Sequence, residues 1–217
     1  MTQSADFFID PICPFCWITS RWAVEVAEQT DLEIRWKFIA LKVLNGDRDY
    51  ADFPDGYEQY HTAGPRQLRV LAKVREEHGN EPVGRLYTEL GTRIHKTGLG
   101  REFAEQSLDT VSNSLIAASL DAAGLPGELL DSASDTGFDG LLKDETAEAL
   151  TRTGPDVGTP IITFDPDGDA VSFFGPVLSE IPRGKKAVEL WGLVEKIARV
   201  PGFAELKRSL RDQPNFD

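Results

Sequence analysis

The prediction of the fold starts from Asp6-Phe7-Phe8-Ile9-Asp10-Pro11-Ile12-Cys13-Pro14-Phe15-Cys16-Trp17. Its first residues are aromatic and β-branched and predict a short buried strand, which Asp10-Pro11 ends because proline has no N–H to continue a β-ladder. Two cysteines follow at C-x-x-C spacing, and they are the only 2 in the 217-residue chain. Pro14 favours the first turn of a helix, so Cys13 is expected where unpaired N–H groups stabilise a thiolate over a thiol.

The composition excludes several classes of partner. The formal net charge is −13, which disfavours binding to nucleic acid or to an anionic membrane. No stretch is apolar over about 18 residues, and residues 1–6 lack the charged and apolar regions of a signal peptide. We therefore expect a cytoplasmic protein, in which two cysteines are more often catalytic than structural.

The patterns after the cysteines predict a βαβ unit. Residues 16–30 carry apolar side chains at helical spacing, and residues 33–41 alternate apolar and polar side chains as a strand with one buried face does. Strands joined by a crossover helix run parallel, so the first two strands are expected to be parallel.

Residues 45–154 show almost no strand pattern. Amphipathic segments separated by glycine and proline predict helices over residues 65–78 and 81–97, and further helical segments beyond residue 108. We therefore predict a domain of inserted helices over residues 45–154. Residues 1–44 and 155–217 are predicted to form one discontinuous domain around it.

β-Structure returns near the end of the chain. Residues 160–164 and 170–174 flank the turn signal Asp167-Gly168 and predict an antiparallel hairpin, which a final amphipathic helix follows. The order is then βαβ, helical insertion, ββα, with the C-x-x-C at the first βα turn. This is the thioredoxin arrangement, so the predicted fold class is α/β and thioredoxin-like.

Thr159-Pro160 precedes the third predicted strand, at the place where thioredoxin-like proteins carry a cis-proline. The dipeptide alone also fits a trans proline that starts an edge strand. Together with the C-x-x-C and the strand order, it favours the cis bond.

Several longer motifs resemble known families. Cys13-Pro14-Phe15-Cys16, the helical insertion and Val157-Gly158-Thr159-Pro160 resemble the DsbA-like branch of the thioredoxin superfamily. Other motifs resemble the actinobacterial mycothiol-dependent nitroreductases: residues 10–22, Leu44-Asn45, Arg48-Asp49, Arg93-Ile94-His95, residues 173–179, Ile181-Pro182-Arg183-Gly184 and Pro214-Asn215-Phe216-Asp217. The resemblance spans nearly the whole chain.

This resemblance implies a cytosolic oxidoreductase that takes electrons from mycothiol, a low-molecular-weight thiol, and reduces nitro compounds. Mycothiol would be a co-substrate, and no tightly bound cofactor is expected. The family pattern has tryptophan where this chain has Phe15, which keeps an aromatic ring and loses the indole N–H. Reactivity or substrate choice is therefore expected to differ.

The two cysteines are the predicted catalytic residues. Cys13, at the exposed start of the helix, is expected to be the nucleophilic thiolate, and Cys16, one turn further in, the resolving thiol. The alternative, that C-x-x-C forms half of a zinc site, needs two more ligands. The chain has no second cysteine pair, and its 3 histidines are isolated, so no metal is expected.

Six residues are candidates for substrate binding: Phe15, Asn45, Tyr57, His95, Thr159 and Pro160. The resemblance implies that Asn45 and Tyr57 lie near the active sulfur, whereas an asparagine in a turn and a tyrosine covering a helix end are ordinary alternatives. His95 ends a helical face of small residues and is either a ligand-binding or a packing residue. His61 and His78 are expected at the surface.

Three functional classes remain open on the sequence. The leading one is a mycothiol-dependent reductase of nitro compounds, other small electrophiles or mixed disulfides. The alternatives are a DsbA-like protein thiol oxidase or disulfide isomerase, and a non-catalytic thiol that senses oxidants. The chain is expected to act as a monomer or a homodimer.

Overall fold

The structure is a computed structural model that describes residues 3–46, 57–97, 108–209 and 212–217. The chain divides into two compact units. The sheet unit comprises Met1–Ile9, Pro14–Lys37 and Ala149–Asp217, and the helical unit comprises Asp10–Cys13 and Phe38–Glu148.

In the part of the chain that the structure describes, four strands form one sheet in the order β2-β1-β3-β4. They are β1 (Gln3–Ile9), β2 (Leu32–Phe38), β3 (Ile161–Phe164) and β4 (Val171–Phe174). β3 pairs antiparallel with β1 and with β4. The predicted hairpin is thereby confirmed, and β1 lies inside the sheet, as its continuous apolar run requires.

The helices within the described residues are α1 (Pro14–Ala27), α2 (Leu41–Leu44), α3 (Tyr57–His78), α4 (Asn80–Gly91), α5 (Leu108–Ala122), α6 (Asp139–Thr153) and α7 (Lys185–Ala198). A π-helical turn, Thr92–Lys96, continues α4. The 3₁₀ turns Gly127–Ser134 and Thr136–Phe138 precede α6. None of these helices is long and apolar enough to cross a membrane.

Aromatic side chains join α1, α7 and the sheet. The Trp191 ring on α7 lies with its centroid 5.0 Å from that of Trp22 and 5.1 Å from that of Phe164. The Trp22 indole N–H donates to the Ala187 carbonyl at 2.9 Å. The Trp22 ring therefore buries its apolar surface while its N–H keeps a partner. These contacts pack α1 against α7 and α7 against β3.

Helix α3 begins earlier than the sequence predicts. It starts at Tyr57 and contains Pro65, whereas the pattern placed the start at Pro65. Proline lacks the N–H for one helical bond, but contacts made by the preceding turns outweigh that loss. His61 is only 3% exposed, so the expectation of a surface histidine is wrong, because the added turns place it on a buried face.

The helix predicted over residues 81–97 changes its geometry before its end. The regular helix stops at Gly91, and the following turn is wider, with the Thr97 N–H donating to the Thr92 carbonyl at 3.2 Å. A π turn of this kind re-aims the side chains that it carries. His95 is one of them.

Two side chains of α6 bind the main chain at the end of β2 and just beyond it. The Phe38 N–H donates to Glu145 Oε2 at 2.7 Å, and the Ala40 N–H donates to Thr146 Oγ at 3.0 Å. Arg75 pairs with the same Glu145 carboxylate at 2.8 Å. Glu145 is nearly buried, so this ion pair exists in a low-dielectric region.

We expect Glu145→Ala to lower the free energy of unfolding by about 3–5 kcal/mol, because it removes the buried carboxylate that binds both the Arg75 guanidinium and the Phe38 N–H. The matched control is Glu81→Ala, which removes the partner of Arg85 in an exposed pair and should cost about 0.5 kcal/mol. Urea unfolding of both variants measures the difference. Equal losses would contradict the structural role of Glu145.

Candidate active site

Cys13 directly precedes the first residue of α1, Pro14. Its N–H donates to the Asp10 carbonyl at 3.0 Å, which closes a turn between β1 and the helix. Cys13 is 5% exposed and Cys16 is 0% exposed. The predicted order of accessibility is found, but Cys13 is far less exposed than expected.

Cys16 lies one helical turn further on, within the sheet unit. Its thiol sulfur is 3.9 Å from the Phe8 carbonyl oxygen of β1, which is a weak hydrogen bond for a poor donor. Phe15 is partly exposed. The two thiols are not joined in a disulfide in this structure.

The main chain from the Asp10 carbonyl to the Cys13 N–H forms a turn in which each polar group is hydrogen-bonded. The two ends bond to each other, and Pro11 contributes no N–H. The groups between are bound by side chains: Ile12 N–H to Asp10 Oδ1 at 3.1 Å, Pro11 O to His95 Nε2 at 2.9 Å and Ile12 O to Tyr60 Oη at 2.7 Å. Buried main-chain groups must be paired, and here three side chains do it.

The Asp10 carboxyl group is fully buried in the helical unit. Burial raises its pKa from 3.8 to about 7. The hydrogen bonds that it accepts from the N–H groups of Leu41 and Ile12 lower the pKa, but by less than burial raises it. The Leu41 contact is 2.8 Å long. This side chain therefore gains or loses its proton near neutral pH.

His95 holds the Pro11 carbonyl. A carbonyl oxygen only accepts, so Nε2 must carry the ring proton that it donates. Burial lowers the pKa of His95 from 6.5 to about 4, although the bond to Pro11 acts in the other direction. His95 is therefore neutral at physiological pH, and the π turn directs it at the cysteine turn.

Helix α3 approaches the turn closely at Gly64. A Cβ atom added there would lie 3.1 Å from Asp10 Oδ1 and 3.3 Å from Ile12 Cδ1. These distances are tighter than ordinary contacts, so glycine allows the approach. One helical turn earlier, Tyr60 provides the hydroxyl group that binds Ile12.

Comparison with known proteins decides the family. A sequence model described as Rv2466c-like, mycothiol-dependent nitroreductase Rv2466c, matches residues 12–208. The chain belongs to the Rv2466c-like family. It is therefore an oxidoreductase, and the match includes both cysteines.

One relative by sequence and two solved structures are also similar to this chain. The uncharacterized protein Rv2286c of Mycobacterium tuberculosis is 28% identical over 205 residues, which cover 94% of this chain and 81% of that protein. The disulfide bond oxidoreductase DsbG of M. tuberculosis superposes with a TM-score of 0.54 at 17% identity, covering 93% of this chain and 81% of that one. A putative protein disulfide isomerase from Nitrosomonas europaea gives 0.57 at 8% identity, covering 90% and 98%. These structures show that this Rv2466c-like chain has the DsbA-like thioredoxin fold.

The predicted binding residues of this Rv2466c-like protein fall in different places. In the helical unit, His95 contacts the cysteine turn, whereas the Asn45 amide donates to the Leu41 carbonyl at 2.9 Å, at the end of α2. The side chain of Tyr57 lies outside the described residues. In the sheet unit, the Thr159-Pro160 bond is cis. The Pro160 carbonyl accepts the Gly175 N–H at 2.9 Å.

Sequence reasoning missed Asp10, Tyr60 and Gly64. In the sequence, Asp10-Pro11 indicates the end of a strand, although aspartate before proline is also a common start of a turn. Neither Tyr60 nor Gly64 carries a local signal, because their contacts with the turn are 48 and more residues distant in sequence.

The two shifted groups should make opposite contributions to stability. Asp10 binds a proton in the folded state that the unfolded chain has lost, so its contribution falls as the pH rises from about 4 to 7. His95 lacks a proton that the unfolded chain holds, so its contribution rises from about pH 4 to 6.5. In the intact protein the two slopes largely offset each other.

We expect the single variants to reveal these slopes. Between about pH 4 and 6.5, the free energy of unfolding of Asp10→Asn should rise with pH relative to that of the wild type, by up to about 1.4 kcal/mol per pH unit. The free energy of unfolding of His95→Gln should fall with pH relative to that of the wild type, by up to the same amount. The His95 slope should be the smaller, because that side chain keeps some contact with solvent. Urea unfolding at several pH values checks this, and slopes parallel to the wild type would contradict it.

Proposed function

We propose that this chain is a cytoplasmic, mycothiol-dependent reductase of nitro compounds or other small electrophiles, with Cys13 as nucleophile and Cys16 as resolving thiol. The observation that carries the proposal is the family match over residues 12–208. It is supported by the position of Cys13 at the start of α1, where a thiolate is stabilised.

The chemistry balances in two electrons. Reduction of a nitro group to a nitroso group takes two electrons and two protons and releases water. Oxidation of two thiols to a disulfide supplies the two electrons and the two protons. In the dithiol route, Cys13 and Cys16 become a disulfide, and two mycothiol molecules then restore the thiols by exchange. In the monothiol route, Cys13 forms a mixed disulfide with one mycothiol, and a second mycothiol releases it.

The residues of the site have distinct proposed roles. We propose that Phe15, Thr159 and Pro160 contact substrate or thiol, and that Asn45 and Tyr57 also take part in substrate binding. His95 keeps its proposed place in this set, with its Nε2 already committed to Pro11.

The decisive experiment measures turnover of a nitroaromatic compound with mycothiol as electron donor. Cys13→Ser should reduce the rate to that of mycothiol alone, because the attacking sulfur is lost. Cys16→Ser separates the two routes: loss of turnover with a mycothiol adduct on Cys13 by mass spectrometry indicates the dithiol route, and retained turnover indicates the monothiol route. Full activity of Cys13→Ser would refute the proposal.

The reduction potential distinguishes a reductase from a protein thiol oxidase. The reduction potential of a reductant of this fold should be about −270 mV, and that of an oxidase about −120 mV. Equilibration of the Cys13/Cys16 pair with defined thiol buffers gives this value. Stoichiometric oxidation without turnover would instead indicate a sensor.

Phe15 allows a prediction about substrate choice. Phe15→Trp introduces the indole N–H of the family pattern, which we expect to donate to a nitro oxygen. KM for the nitro substrate should then fall by about fivefold, the value of one hydrogen bond. Steady-state kinetics test this, with Phe173→Trp, on β4, as a control for the added indole. An unchanged KM in Phe15→Trp would remove Phe15 from the proposed binding site.

A further inference from the structure

The carboxyl group of Asp10 connects two segments of the helical unit. Oδ1 accepts the Ile12 N–H inside the cysteine turn, at 3.1 Å. Oδ2 accepts the N–H of Leu41, the first residue of α2, at 2.8 Å and 31 residues away. An ionised carboxylate offers an acceptor oxygen to each N–H, whereas an amide has only one.

Stability does not account for a carboxyl group at this place. It is 0% exposed, and within the described residues no cation pairs with it. Asp6 is also buried but pairs with Arg35 and Arg152. An unpaired buried charge costs several kcal/mol, and asparagine or serine forms a similar turn without it. Ionisable groups buried in this way concentrate at functional sites.

The surroundings hold this carboxyl group in position. Gly64 of α3 faces both oxygens, and a Cβ atom there would lie 3.1 Å from Oδ1 and 3.2 Å from Oδ2. The Asp10 carbonyl also accepts the Cys13 N–H. Asp10 is therefore bonded to the turn through its side chain and its main chain together.

We propose that Asp10 is a positioning residue for Cys13, whose ionised carboxylate anchors the cysteine turn to α2 and thereby keeps the Cys13 sulfur in its reactive position. As the carboxylate, Asp10 holds both N–H groups. As the acid, its hydroxyl oxygen is a weaker acceptor for one of the two N–H groups, and the turn loosens. The inference rests on the proposed function only in taking Cys13 as the reacting thiol.

The other ionisable groups around the turn do not supply the same effect. Tyr60 reaches it from α3 and donates its hydroxyl proton to Ile12. His95 reaches it from the π turn and is neutral above about pH 4. On α2, Lys42 is paired with Glu58 at 3.2 Å, so the two charges offset each other. Among these described side chains, Asp10 is the one whose pKa lies near neutral pH.

The test measures the reactivity of Cys13 without turnover. In a Cys16→Ser background Cys13 is the only thiol, and its alkylation by iodoacetamide is followed between about pH 5.5 and 8.5, on either side of the Asp10 pKa. The variant is Asp10→Asn. We expect equal rates at the acidic end, where both side chains are neutral. At the basic end, Asp10→Asn should react at least about threefold more slowly, because one anchoring hydrogen bond is lost.

Two outcomes overturn the inference. A rate ratio that is constant with pH would mean that Asp10 is structural only. A faster reaction of Asp10→Asn at basic pH would mean that the carboxylate acts by repelling the thiolate. If Asp10→Asn does not fold, Gly64→Ala presses on the same carboxylate without changing its charge and should slow alkylation at basic pH. An unchanged rate in that variant would equally refute the inference.

Asp139→Asn is the matched control. It makes the same chemical change in the same unit, at a carboxylate that binds Arg69 through both oxygens, at 2.7 and 2.9 Å. It should lower stability and leave the pH dependence of alkylation unchanged. The assay contains neither mycothiol nor a nitro compound, so failure of the proposed reductase activity and failure of this inference are separate results.

Discussion

The hydrogen bonding of the turn from Asp10 to Cys13 is the constraint on which the candidate site depends. The chain must pass from a buried strand to a helix within four residues, so the polar groups of these residues lose water and need protein partners. Asp10, Tyr60 and His95 provide those partners. The segment before the Cys13 sulfur is thereby fixed by side chains from three separate parts of the helical unit.

This arrangement inverts the usual charge states of an acid and a base. Between about pH 4 and 6.5, an unfolded chain carries an ionised Asp10 and a protonated His95, whereas the folded protein keeps both neutral. Each shift taken alone would make stability depend on pH. Together they leave the net proton balance almost unchanged, so two costly groups are retained beside a cysteine without making the fold sensitive to mild acid.

The sequence predicts those parts of the fold that depend on local pattern. Alternation and apolar runs identify the strands, and the Asp167-Gly168 turn identifies the hairpin that β3 and β4 form. The start of α3 and the π turn after Gly91 are not predicted, since both follow from contacts between distant segments. Pro65 is a strong local signal for a helix start, yet the buried residues before it, such as His61, extend the helix by two turns.

The same distinction applies to the site. A C-x-x-C at the start of a helix is a local pattern of four residues that indicates thiol chemistry, so Cys13 and Cys16 can be proposed as catalytic residues from the sequence alone. The environment of Cys13 cannot, because the burial of Asp10 depends on Gly64, and its second acceptor contact depends on Leu41. The local sequence of an aspartate before a proline is the same whether its side chain is exposed to water or buried against a helix. The sequence therefore indicates the candidate sulfur, and the tertiary contacts determine what holds the segment before it in place.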